Sequence, residues 1–168
     1  MSDITFSLNG FRVNMRAGAI VRRGDRILLC RMTDENWWFL PGGRIKTNES
    51  SLMAIKRELC EEIGDSFHVL RPAVCSENFF EHDGQYFHEV CIYYEVQWLE
   101  DENIKQQENA DEVFNWVARK DVPGINLKPA FIKGRIVDPS PSMELVIDRD
   151  GEQGAGADDV KAVVGLWR

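Results

Sequence analysis

From residue 86 to 98 apolar and polar positions alternate, with His88, Val90, Ile92, Tyr94, Val96 and Trp98 on one side and Phe87, Glu89, Cys91, Tyr93 and Glu95 on the other. A period of two marks a strand, and the first set is the expected core face. Residues 74–80 are its hairpin partner, and residues 11–22 and 26–32 form a second hairpin through Arg23, Gly24 and Asp25. Residues 113–118 and 143–147 read as shorter strands. Helical spacing replaces alternation over 50–63, where Leu52, Ile55, Leu59 and Ile63 share a stripe and Gly64 ends the segment. Pro129 suits the first turn of another helix running to about Val137. Strands on either side of a helix, with a second helix near the end, predict an α/β fold in which a mixed β-sheet lies between helices.

The first helix carries a second stripe. Glu58, Glu61 and Glu62 fall at i, i+3 and i+4, beside the apolar stripe rather than opposite it. Carboxylates stacked in this way repel unless a positive charge lies between them, and a hard divalent cation such as Mg²⁺ takes oxygen ligands and bridges diphosphate oxygens. Before the helix, the apolar run Trp37, Trp38, Phe39 reads as the end of a strand, turning at Leu40, Pro41, Gly42 and Gly43. Two glycines there permit close backbone approach to a ligand and φ > 0. Strand, glycine loop and acidic helix together read as a metal site.

The segment from Gly43 to Asp65 resembles the Nudix box: glycine, five residues, glutamate, seven residues, then Arg-Glu-aliphatic-x-Glu-Glu-x-Gly-aliphatic. Gly43, Glu49, Arg57, Glu58, Leu59, Glu61, Glu62 and Gly64 match, while Asp65 replaces the final aliphatic residue. Lys46 and Asn48 stand where an acidic residue and a glycine are common, and Asn tolerates a left-handed conformation. The resemblance implies a Nudix-type α/β/α sandwich that hydrolyses a pyrophosphate bond in a nucleoside diphosphate linked to another group, with Mg²⁺ or Mn²⁺ as cofactor. It implies that Gly43, Glu58, Glu61 and Glu62 hold the metal and that Arg57, paired with an acidic residue, orients the loop and the glutamates. Glu49 and Arg57 are eight residues apart, so their contact requires the intervening loop to fold back. The family places its general base either in the box or in a loop before a late strand. Glu112 is the loop candidate, with Glu108 and Asp111 beside it.

Arg16, Arg31 and Arg44 are candidates to hold phosphate, and Trp37, Trp38, Phe79 and Phe80 to stack a base, together with the backbone of Gly42 and Gly43. Aromatic residues at strand positions serve a core equally well. Motifs that mark the ADP-ribose, diadenosine polyphosphate, coenzyme A and NADH subfamilies are absent, which leaves a small nucleotide such as a nucleoside triphosphate. The alternative is a catalytically silent, Nudix-like nucleotide-binding or regulatory domain. Three clustered carboxylates favour the enzyme.

Composition narrows this further. The 168 residues are 43% hydrophobic, enough for one core, and the formal charge is −8. That charge opposes a non-specific grip on polymeric nucleic acid and disfavours RNA 5′-end processing. Cys30, Cys60, Cys75 and Cys91 are scattered without a CxxC pair and read as small core residues of a cytoplasmic protein. No signal sequence or membrane span is expected. Residues 1–137 are expected to form the catalytic domain. Residues 138–168, with a proline-marked start, a glycine-rich stretch at 151–157 and Val160, Val163, Val164 and Trp167 at helical spacing, form a C-terminal extension. It docks on its own domain or on the second subunit of a homodimer.

Overall fold

The computed structural model describes residues 1–99, 104 and 111–149. Glu108 and the stretch 151–167 therefore lie outside the described residues. Among the described residues eight strands form one sheet: β1 (Thr5–Leu8), β2 (Phe11–Arg23), β3 (Arg26–Met32), β4 (Gly42–Arg44), β5 (Phe67–His82), β6 (Gln85–Trp98), β7 (Glu112–Ala118) and β8 (Glu144–Arg149). Their order is β7-β3-β2-β6-β5-β8, with β1 and β4 also on β2. The β2–β6 and β5–β8 pairs are parallel and the others antiparallel, so the sheet is mixed.

Helices cover both faces. The helix α1 (Ser51–Glu62) lays Ala54, Ile55 and Leu59 against Ala17, Ala19, Val21, Tyr94, Val96 and Trp98. On the opposite face a 3-10 turn at Arg119–Gly124 and the helix α2 (Ile132–Val137) pack Val122, Ile132 and Ile136 over Ile20, Leu29, Val74 and Tyr93. Because both faces are covered, β6 is buried on both: Tyr94, Val96 and Trp98 on one, and Cys91 and Tyr93 on the other. A single core face was the wrong expectation for this strand.

Local chemistry explains the boundaries. Ser50 caps α1 by accepting from the Met53 N–H at 3.2 Å, and Gly64, at φ 105°, ends it. Leu52, on the predicted apolar stripe, is instead exposed at the edge of the helix footprint. The second helix begins three residues after Pro129, because Pro129 and Ala130 accept the turn bonds from Ile132 and Lys133. Residues 37–39 are not a strand: Trp38 and Phe39 make only single bridges, to Leu127 and Cys30. Conversely Gly42 and Gly43, expected in a turn, belong to the strand β4. Asn48 does take the left-handed conformation, at φ 62°. Of the cysteines, Cys30 and Cys91 are buried and Cys75 half-buried, but Cys60 is exposed, and all four are free thiols. Among the described residues no helix is long and apolar enough to cross a membrane.

Candidate active site

Gly42 and Gly43 position the site for two separate reasons. Gly42 has φ 137°, and a Cβ there would strike the Ala17 carbonyl, so only glycine lets β4 lie this close to β2. A Cβ on Gly43 would occupy the place of the Glu58 carboxyl group, which lies directly on that backbone. The pairing Gly18↔Gly42 and Arg16↔Arg44 then sets Arg16 beside the glycines, its guanidinium donating to the Gly42 carbonyl at 3.2 Å.

Arg57 organises the acidic side chains around this edge. Its Nε and Nη2 donate to the two oxygens of Glu49 at 2.8 and 2.9 Å, its Nη2 to the Arg44 carbonyl at 3.1 Å, and its Nη1 to Glu58 at 2.5 Å. The Lys46 N–H also donates to Glu49, so the 44–49 loop folds back onto the helix. These bonds hold the Glu49 carboxyl down at about 2, the Arg57 hydrogen bonds being the main cause. Glu61 accepts from Arg57 at 3.4 Å but is more than half exposed, at the rim rather than with the others.

Glu62 is the unusual group. One of its carboxylate oxygens, Oε2, is buried with no partner. Burial, reinforced by the negative charges of Glu112 and Glu58, pushes its pKa up to about 8 against the opposing Gly42 hydrogen bond and Arg16. Glu112 is raised by the same two causes, burial and Glu58. Three carboxylates from α1 and β7 thus share one field around Arg16 and the glycines. As the side chains stand, no group of three or more His, Cys, Asp or Glu among the described residues is gathered closely enough to hold a metal. The donors nevertheless suit a hard cation: all are carboxylate oxygens, and the orphaned Glu62 oxygen needs a positive partner.

Beside the carboxylates opens a cleft of about 550 Å³. Of the candidate residues, Arg16, Trp37, Gly42, Phe80 and Glu112 line it, together with Phe39, Asn78, Glu89 and Lys128. Other predicted contacts point elsewhere. Arg31 donates to the Met32 and Glu35 carbonyls and lies over Trp38, which packs into the core. Arg44 pairs with Asp3. Phe79 packs against His88 and Arg149, on the face of β5 opposite Asn78 and Phe80. The pleat admits one of two adjacent phenylalanines to the cleft, and Phe80 is that one. Lys128 comes from a segment without regular structure, where pattern gives no signal; Phe39 lay in the apolar run read as a strand end, which did not mark it as a cleft residue; and Asn78 was hidden by its place in an apolar strand.

The NUDIX domain family profile matches residues 13–137. The chain belongs to this family. An RNA pyrophosphohydrolase of Francisella philomiragia subsp. philomiragia is 28% identical over 120 residues, which are 64% of this chain and 77% of that protein. An RNA pyrophosphohydrolase of Halorhodospira halophila is 44% identical over 57 residues, 33% of this chain and 30% of its own length. Among solved structures, the mutator MutT protein of Bacillus halodurans superposes with a TM-score of 0.62 at 18% identity, covering 89% of this chain and 94% of that one. This Nudix chain therefore shares the fold of MutT, with Gly43, Glu49, Arg57, Glu58, Glu61 and Glu62 of the box inside the matched region.

Proposed function

We propose that this Nudix hydrolase cleaves a pyrophosphate bond in a small nucleotide, with Mg²⁺ or Mn²⁺ as the required cofactor. The observation that carries this reading is the buried, unpartnered oxygen of Glu62 facing the like charges of Glu58 and Glu112 beside a cleft. Glu58 and Glu62, with Glu61 at the rim, would hold the cation, which when bound neutralises phosphate charge and lowers the pKa of water. Arg57, clamped by Glu49, is a positioning residue that fixes Glu58 and the loop. Arg16 is placed to take a phosphate oxygen. Glu112, whose carboxyl is raised by burial and Glu58, is the side chain suited to take a proton from the attacking water. A silent binding domain would have no use for this arrangement of costly, mutually repelling carboxylates.

Three relatives are named RNA pyrophosphohydrolases, so a triphosphorylated RNA 5′ end belongs in any substrate screen. The charge of −8 favours the free nucleotide over the polymer. The test is a panel of nucleoside triphosphates, nucleoside diphosphate conjugates and 5′-triphosphate RNA, with phosphate and pyrophosphate release followed with Mg²⁺, with Mn²⁺ and with excess EDTA. Release that depends on the cation is expected. Full turnover in EDTA, or none on any substrate, would refute the proposal.

A further inference from the structure

Three polar side chains lie in a row across three neighbouring strands, and two of them, Glu89 and Asn78, line the cleft. Asn14 on β2 is in register with Glu89 on β6, and Glu89 with Asn78 on β5. Asn14 and Asn78 are only 3% and 7% exposed, and the Glu89 side chain 13%. Two members are satisfied internally: Asn14 accepts from the Thr5 hydroxyl at 2.8 Å and donates to Glu89, whose carboxylate lies 3.8 Å from the Arg16 guanidinium. The third is not, since the Asn78 carboxamide oxygen is buried without a partner. A buried acceptor with nothing to accept from destabilises the free protein. Its position on the cleft wall supplies the reason for keeping it.

Resting on the pyrophosphate reading above, we propose that Asn78 and Glu89 form a subsite for the vicinal hydroxyls of a ribose, and that Asn78 makes the enzyme prefer ribonucleotides. Order along the cleft supports this. Arg16 stands at the phosphate end, next to the glycines and carboxylates. Phe80 lies two residues beyond Asn78 on the same face of β5, and Trp37 touches Phe39 and His82 at the far end. Cation side, acceptor pair and aromatic end follow the sequence phosphate, sugar, base. Both subsite groups offer acceptors, and adjoining hydroxyls each bring a donor. Arg16 already balances the Glu89 charge, so a neutral donor completes the site better than an ammonium group.

The experiment compares ADP, GDP, CDP and UDP with their 2′-deoxy and 3′-deoxy counterparts by calorimetric titration, with Ca²⁺ present to slow turnover. Wild-type protein is expected to bind at least one ribonucleotide about tenfold or more tightly than a deoxy counterpart. Asn78→Leu, similar in shape but without the acceptor, should lose that preference while melting at the same or a higher temperature. A structural asparagine would instead lower the melting temperature and leave the preference intact, which would overturn the proposal. Equal wild-type affinity for ribo and deoxy forms, or no binding of any of the four, would also overturn it. Hydrolysis of ribo and deoxy triphosphates at equal rates would remove this subsite and leave the pyrophosphatase reading standing. Ribose-selective binding without hydrolysis would do the reverse.

Discussion

Glu62 responds to pH through its burial and its neighbours. Its carboxyl sits near 8 in the folded chain against 4.5 ordinarily, so without cation the folded state binds the extra proton between those values. Stability of the metal-free protein should therefore fall as pH rises from about 4.5 to 8 and then level off, by up to a few kcal/mol. Thermal melts in EDTA across that range should show the decline, and Glu62→Gln or added Mg²⁺ should flatten it. The same variant should keep the fold and lose turnover by about 10²-fold or more, because it removes a carboxylate that would hold the cation. Glu49 works in the opposite direction. Held at about 2 by Arg57, it contributes stability above its ordinary value of 4.5 that disappears as pH falls towards 2. Glu49→Gln should weaken the protein near neutral pH and make the acid limb of its stability curve shallower.

At the scale of elements, the three close-packed glycines differ in what a methyl group would meet. At Gly43 it meets the end of the flexible Glu58 side chain. Gly43→Ala should thus cost about 1 kcal/mol or less in stability but displace Glu58, with turnover reduced tenfold or more by an order-of-magnitude estimate. At Gly42 it meets the Ala17 carbonyl, and at Gly18 the Tyr93 ring at 2.6 Å. Those substitutions should destabilise by about 1–3 kcal/mol through overpacking, as measured by urea denaturation. An equal stability loss at Gly43 and Gly42 would mean that Glu58 does not lie as described.

For the whole molecule, the residues after α2 decide how far the fold extends. The strand β8 pairs in parallel with β5, buries Val146 and brings Glu144 to Arg135. Arg71 reaches the Ser140 carbonyl at 2.6 Å. Truncation after Asp138 should therefore lower the melting temperature markedly, since it exposes an edge of β5 and part of the core under α2, and Val146→Asp in the intact chain should do the same by about 2–4 kcal/mol. A truncated protein with unchanged melting would show that β8 adds nothing to the core.

The sequence alone was enough to place α1 within a residue at each end, the first hairpin, the turn of the second, the box and the acidic stripe, because these depend on spacing within one element and on caps such as Ser50; β5, expected from residue 74, begins at Phe67. Asn48, a residue that tolerates the left-handed conformation, does adopt it, and the pairing of Arg57 with an acidic residue that the family resemblance implied is made with Glu49. Tertiary structure decided which residues meet. The sheet register brought Glu112 of β7 to Glu62 of α1, the pleat chose Phe80 over Phe79, and Asp3 rather than a ligand received Arg44. Burial of both faces of β6 followed from helices packed on opposite sides of the sheet, which no single strand can report. The buried row Asn14, Glu89 and Asn78 joins three strands that are distant in sequence. Periodicity is a property of one segment, whereas register and layer packing are set by long-range contacts between segments.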